Sequence, residues 1–452
     1  MPKTRTYNTK QYKHIDRKIS FDKVKNYVLN PSCVARHSFL PFIHYDLVIK
    51  KYIKQLKDGK IKGIVKEKKR SIYYAGHLDS YIYRYYSDML NEKYDSWSGE
   101  NNIDDLSVAY RINKPSQSNI HFAAKAISKI VECEASLIVI GDFESYFDTL
   151  NHFLLKKRLA RVLKVDRLSE DWYNVFKSIT KFGYLSKEIL ERETTGEKGA
   201  YFHNLQEFRN YRKVHKVQYN KKLFGIPQGS PISGVLANVY AVDFDIEMNS
   251  IAIQYNGFYQ RYSDDFILVL PLKIDDKSTI NDFKDTILKR IEMLSSLNEI
   301  SIQKEKLKCR LFRQREVQDV IQFKASQIDY LGFTFNGIDV KIREKSIGKF
   351  YRDAKKLIQK SYVIKRRKSL KKLPNRHKIY SLYTDFGKSE RYRSNFIDYA
   401  KRAQRVFDKI SPNTNNLMME QLKNRKIIIE KALKYIPGYS TKYRSSIESL
   451  LI

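Results

Sequence analysis

Three carboxylates stand out in this 452-residue chain because of where they fall. Asp142 directly follows a short apolar run, Ser136-Leu137-Ile138-Val139-Ile140-Gly141. Asp264 and Asp265 stand side by side between Phe258–Ser263 and Phe266–Leu270. A lone Asp at a turn is ordinary, because its side chain bonds its own backbone. Two adjacent acids at a tight tip repel each other unless a cation neutralises them. Mg2+ suits that task, since it takes a few carboxylates and keeps waters and substrate phosphates. Two such ions about 3.5–4 Å apart would activate an attacking hydroxyl and stabilise a leaving pyrophosphate. On chemistry alone, a metal pair and a merely solubilising turn both fit.

Something rigid must hold these acids. Residues 136–141 read as a buried strand closed by Gly, and 257–261 with 266–271 as two strands around the acidic tip. Helical periodicity predicts helices over 43–57, 78–94, 151–164, 234–250 and 281–297. The Tyr81–Tyr86 run fits an aromatic helix face turned into a core. A second hairpin is expected over 330–342, around Asn336-Gly337. From 346 onward the pattern is helical, with basic clusters at 364–377 and 401–405. Residues 165–221 carry no turn-rich linker and no repeat. The expected class is α+β.

Charge narrows the partners. The chain holds 85 Lys and Arg against 50 Asp and Glu, a formal net charge of +35. Residues 1–70 contribute +14 and residues 341–452 contribute +21, while 71–340 are neutral. Two solvated faces are one reading of this, but +21 over the last 112 residues is costly in self-repulsion without a polyanion. Nucleic acid is the expected partner. There is no apolar run long enough for a membrane span and no secretory leader. The three cysteines, Cys33, Cys133 and Cys309, lie far apart in sequence, which argues against a disulfide framework or a zinc knuckle and fits a cytoplasmic setting.

The motifs then fall into a known order. Asp142-Phe143-Glu144-Ser145-Tyr146-Phe147-Asp148, with Asn151-His152, resembles the first catalytic motif of reverse transcriptases. Gly225-Ile226-Pro227-Gln228-Gly229-Ser230-Pro231-Ile232-Ser233 resembles their second palm motif. Tyr262-Ser263-Asp264-Asp265 matches their Tyr-x-Asp-Asp box. Ile302–Lys306 is similar to the lysine-bearing motif, and Tyr330-Leu331-Gly332-Phe333 to the primer-grip turn. Upstream, Lys69-Arg70 and Ala109-Tyr110-Arg111 resemble the two fingers motifs. The resemblance covers about residues 60–340 and points to the bacterial type, related to group II intron and retron enzymes.

The resemblance implies an RNA-directed DNA polymerase with a right-hand α+β fold. A basic N-terminal extension (1–60) precedes fingers (61–135). The palm (136–340) has an antiparallel sheet and an insertion at 165–221, and a basic helical thumb spans 341–452. It implies two Mg2+ ions at Asp142 and Asp264, with Asp265 supporting them. Arg111 is expected to reach the incoming deoxynucleoside triphosphate, helped by Lys69 or Arg70, although a solvated basic run explains that pair equally. Phe147 falls where the family places the ring that excludes a ribose 2′-hydroxyl. Gln228 is expected beside the templating pair. Lys306 is a candidate proton donor to pyrophosphate, and an ordinary exposed run fits it too. Tyr330, Leu331 and Gly332 would grip the primer. His152 is expected only to start a helix.

Departures sharpen the branch. No Val-Thr-Gly follows the Tyr330 turn, Ser118–Ala123 does not match the retron insertion, and no Cys/His endonuclease pattern or RNase H acid set follows residue 340. Trp172–Lys177 and Asn395–Lys401 look similar to stretches of stand-alone antiphage enzymes. That likeness implies a dedicated structured noncoding RNA as template and DNA as product. Tyr351, Tyr380, Tyr383 and Tyr392 lie among Lys and Arg, a composition suited to stacking on unpaired bases. The primer, and whether a second copy or another protein joins, stay open. A non-catalytic RNA-binding scaffold and an RNA-dependent RNA polymerase are the competing readings.

Overall fold

A computed structural model describes residues 6–57, 60–196, 199–273, 276–382 and 395–434. The strands are β1 (Phe42–Lys57), β2 (Lys60–Tyr74), β3 (Ala135–Asp142), β4 (Gly183–Ser186) and β5 (Gln218–Tyr219). They continue as β6 (Phe258–Tyr262), β7 (Asp265–Pro271), β8 (Lys308–Arg313) and β9 (Glu316–Asp319). The last four are β10 (Ile328–Tyr330), β11 (Phe333–Phe335), β12 (Asp339–Ile342) and β13 (Asn415–Asn416). The protein is α+β with mainly antiparallel pairing.

The chain divides into two compact units. The first takes residues 1–115, 142–250 and 289–304. Its sheet runs β2-β1-β4-β5. Helix His77–Glu100 turns Tyr81, Ile82, Tyr83 and Tyr86 inward and leaves Arg84 in solvent, as its aromatic spacing predicts. Helix Ser233–Tyr240 is almost wholly buried. The N-terminal segment is built in: Asp16 accepts from the Leu78 and His77 amides at 3.1 and 3.0 Å, capping that long helix. Ile15 joins Ile43, Leu185, Leu190, Tyr201, Phe202 and Phe208 in one apolar cluster. Residues 165–221 therefore supply two strands and five of the seven buried residues of this cluster.

The segment 43–57 forms β1 rather than the expected helix. Its apolar positions satisfy a helical period, but Ile43, Val48, Ile49 and Ile53 are β-branched. Each residue from Ile43 to Lys57 has an antiparallel partner between Lys60 and Tyr74. Pairing along the whole length overrode the local period. The boundary expected at residue 60 falls inside this hairpin.

The second unit takes residues 116–141, 251–288 and 305–452. Its five-stranded sheet has the order β6-β7-β3-β8-β9, and a smaller sheet has the order β10-β11-β12-β13. β3 and β7 are buried along their lengths except at their ends, which is why Leu137–Ile140 and Phe266–Leu270 are continuously apolar. Helices Glu344–Arg367, Arg376–Tyr380, Phe396–Ile410 and Arg425–Lys434 form its basic C-terminal part. Among the described residues, no helix is long and apolar enough to cross a membrane.

Candidate active site

The acidic residues sit at strand ends. β6 and β7 pair antiparallel, with Tyr262 opposite Asp265, so Ser263-Asp264 is a two-residue turn. Ser263 is buried and carries φ +61°. That conformation costs a non-glycine residue about 1–2 kcal/mol. Arg261, fully buried beneath the turn, donates from Nη1 to the Ser263 carbonyl at 2.8 Å. The neighbouring Gln260 donates from Nε2 to the Phe122 carbonyl and to Tyr330 Oη, both at 3.2 Å. A hidden polar frame thus fixes a strained turn on which Asp264 and Asp265 are half-buried.

β3 is the neighbour of β7 in this sheet. The Leu272 amide donates to the Ala135 carbonyl at 2.9 Å, so the start of β3 meets the end of β7. At the other end, a Cβ on Gly141 would stand 2.3 Å from the Phe266 ring. Only glycine lets the far end of that ring come so close. Gly141 and Phe266 therefore meet across the two strands, Asp142 following the one in the chain and Asp265 preceding the other. Asp142 also accepts through its carbonyl from the Gln303 amide at 2.9 Å, and Glu144 donates to the Ser301 carbonyl at 2.7 Å.

Among the described residues, no group of three or more His, Cys, Asp or Glu side chains is arranged to hold a metal ion. The donor chemistry still suits Mg2+, which needs few protein carboxylates when water and substrate phosphate complete its shell.

A second set of predicted residues meets in the first unit. The Ile226 amide donates to the Phe147 carbonyl at 2.8 Å, and the Gly225 amide to Leu150 at 2.9 Å. The Tyr73 amide, at the end of β2, donates to the Gln228 carbonyl at 2.9 Å. Gly229 follows at φ +115°, where an added Cβ would be 2.6 Å from the Tyr73 carbonyl oxygen. Phe147 and Gln228 are both half-buried. Tyr146 anchors the segment, donating from its hydroxyl to the Ala237 carbonyl at 2.6 Å. His152 packs its Nε2 2.7 Å from the Gly225 carbonyl, and burial lowers its pKa.

Arg111 is placed differently from its expected role. Its side chain is fully buried. Nε donates to Asp95 at 2.5 Å, Nη1 to the carbonyls of Asp104 and Ser107, and Nη2 to Ser98 Oγ and the Asp104 carboxylate. All five N–H donors of a guanidinium are then engaged. Burial alone would raise the Asp104 carboxyl, but Lys114, Asn113 and Arg111 outweigh it and hold it at about 2. Arg111 is a structural clamp here, and a triphosphate would have to displace its partners. Lys69 and Arg70 are exposed on β2, opposite Val48 and Leu47. Lys306 is exposed in the 3-10 turn Lys304–Lys306.

Tyr330 closes β10 opposite Phe333, with Leu331 and Gly332 between them at φ +48° and +95°. Both signs are positive, the geometry that suits a tight hairpin turn. Sequence reasoning missed what holds this turn. Asn119 donates from Nδ2 to the Leu331 carbonyl at 2.9 Å and to Tyr399 Oη at 3.1 Å. The Arg343 amide donates to the Gly332 carbonyl at 2.9 Å. Asn119 opens a helix at an otherwise routine Ser118 cap, so nothing local marks it. Tyr351 is half-buried and tilted on Phe350, and Tyr380 is exposed. Tyr383 and Tyr392 lie outside the described residues.

No family model and no curated protein matches the chain. Among solved structures it is similar to apo telomerase from Candida tropicalis truncated from its C-terminal domain, at 14% identity and TM-score 0.41 over 75% of this chain. It covers 64% of that chain, so it spans slightly under two-thirds of its length. It is also similar to telomerase from Candida albicans in complex with a TWJ fragment of telomeric RNA, at 12% identity and TM-score 0.41, covering 94% of this chain and 66% of that one. Scores this low do not assign a common fold.

Proposed function

We propose that this chain is an RNA-directed DNA polymerase of right-hand architecture, in which the β3–β6–β7 strand ends form the catalytic platform. The observation that supports it best is the ordered motif set, Asp142 through Tyr330, combined with a register that seats Gly141 against Phe266. Asp142 and Asp264 would hold two Mg2+ ions, with Asp265 beside them. Bound there, the ions would supply charge neutralisation for the triphosphate and an activated 3′-hydroxyl.

The chain's own residues do the positioning. Arg261 and Ser263 fix the height of the acidic turn. The Phe147 ring takes the space a ribose 2′-hydroxyl would need, which selects deoxynucleotides. The Tyr73–Gln228 bond sets the loop that would meet the templating pair. The turn at Tyr330 would support the primer end, held by Asn119 and Tyr399. The basic C-terminal helices would follow the duplex backbone. The template we infer is a dedicated structured noncoding RNA, and the setting antiphage defence in a bacterial cytoplasm, on the likeness of Trp172–Lys177 and Asn395–Lys401.

The test is incorporation of deoxynucleotides on an RNA template with Mg2+. Asp264→Asn is expected to abolish it while melting and RNA affinity stay at the parent's values. Full incorporation by that variant would overturn the assignment.

A further inference from the structure

Phe153, Leu223, Phe224 and Tyr173 are large apolar residues that folding leaves in solvent, 75%, 77%, 42% and 47% exposed. Local structure sets them in one strip of the first unit. Asn151 caps the helix His152–Leu163, accepting from the Phe153 amide at 2.8 Å, and its backbone pairs antiparallel with Phe224. The His152 amide donates to the Leu223 carbonyl at 2.9 Å. Asn220 ties this loop to the end of the helix Glu170–Thr180, donating from Nδ2 to the Thr180 and Phe224 carbonyls at 3.0 and 3.1 Å. On that helix Trp172 meets the buried Tyr86 ring edge to face at 4.8 Å, while the next residue, Tyr173, faces solvent.

Cations stand over two of these rings. Lys156 Nζ lies 5.0 Å from the Tyr173 ring centre, and Lys222 Nζ 5.2 Å from the Phe224 ring centre. Lys157 follows Lys156 and Lys181 follows Thr180, both exposed. Among the described residues, Lys156, Lys157 and Lys181 have no carboxylate within ion-pair distance. Lys222 bears on Asp148, whose carboxyl burial raises and Lys222 draws back down. A solvent-exposed contact between an ammonium and a ring is weak. A base can therefore take the ring face while the ammonium moves to the adjoining phosphate. Protein interfaces gather aromatic residues but shed Lys, so this mixture fits a polyanion better than a protein partner. A duplex hides its base faces, whereas an unpaired strand offers them for stacking.

We infer that the strip from Tyr173 through Phe153 to Phe224 is a binding surface for an unpaired stretch of nucleic acid. Bases stack on the three rings, and the lysines beside them take the phosphates. Stacking of this kind tolerates any base, because every base has a π-face. The strip takes no residue from the acidic strand ends, so binding there needs neither Mg2+ nor nucleotide.

The experiment measures binding of the full chain to short unstructured RNA and DNA strands of one sequence, and to a blunt RNA duplex of the same length. Fluorescence anisotropy across a salt series reads it, without Mg2+ or nucleotide. Phe153→Ala is expected to weaken both single strands by about tenfold and to leave the duplex near the parent. Phe153→Trp keeps a stacking face and should hold the parent affinity. Phe153→Leu keeps apolar surface without a π-face and should behave like the alanine variant. Melting should not move in any of the three, because the ring is 75% exposed. Lys156→Gln/Lys222→Gln should flatten the slope of log affinity against log salt on single strands by about 1.4, at about 0.7 for each phosphate contact. Parent-like binding by Phe153→Ala, or an equal loss on the duplex, would overturn the assignment. So would parent affinity in Phe153→Leu, which would make the strip a plain apolar patch. A loss confined to RNA or to DNA would also overturn it, since base faces and phosphates are common to both. Because no nucleotide is present, the result is independent of whether Asp264→Asn abolishes incorporation.

Discussion

Arg111 offers the sharpest test, because its motif and its surroundings predict different defects. Its side chain is fully buried, while those of Asp95 and Asp104 are 11% and 34% exposed. Arg111→Leu takes the guanidinium from both carboxylates, leaving Asp95 the Asn113 amide and Asp104 the Lys114 and Asn113 side chains. Removing one partner of a buried ion pair costs about 3–5 kcal/mol, and water reaching Asp104 argues for the lower end, about 3 kcal/mol. Arg111→Lys keeps the charge but at most three of five donors, and loses the planar fork. Two lost hydrogen bonds to charged or buried groups place it at about 2 kcal/mol. At roughly 2–4 °C per kcal/mol, melting should fall by about 6–12 °C for leucine and about 4–8 °C for lysine. Thermal melting followed by circular dichroism reads this directly. Nucleotide KM, measured well below the melt, should stay within about threefold of the parent for lysine. Melting within a degree or two of the parent, with KM for deoxynucleotide raised about tenfold or more, would refute the clamp and restore the triphosphate contact expected from the motif.

Other perturbations separate the remaining roles. Phe147→Ala should raise ribonucleotide incorporation relative to deoxynucleotide, scored in parallel primer-extension assays, with melting lowered by less than a buried Phe would cause because the ring is only half-buried. Gly229→Ala places a Cβ 2.6 Å from the Tyr73 carbonyl at φ +115°, so it should cut incorporation through the displaced Gln228 loop and cost about 1–2 kcal/mol in melting. Burial lowers the pKa of His77, which is stacked on Tyr12 at 5.1 Å. A folded-state pKa below the unfolded value means full stability above about pH 6.5 and loss as pH falls through the folded value. His77→Phe keeps the stack and should flatten the fall in melting temperature between about pH 7 and pH 5.

Much of the fold around the candidate site was legible where it depends on residue type and local period. Continuous apolar runs announced β3 and β7, the Asp-Asp pair announced the turn between strands, and the aromatic spacing of Tyr81–Tyr86 announced the buried face of its helix. The helix expected at 43–57 failed because the deciding interaction was a partner strand, which no window of 15 residues contains. Likewise, the run at 165–221 read as an insertion because its partners, Ile15 and Ile43, are more than a hundred residues away.

By itself the sequence determined where carboxylates, aromatic rings and the excess of basic residues fall along the chain. Only tertiary structure decided that Gly141 is small because a ring from the next strand lies on it, and that Arg111 is spent on two acids. The physical reason is common to both: what a residue can do depends on what folding sets against it, and its type alone does not name that neighbour.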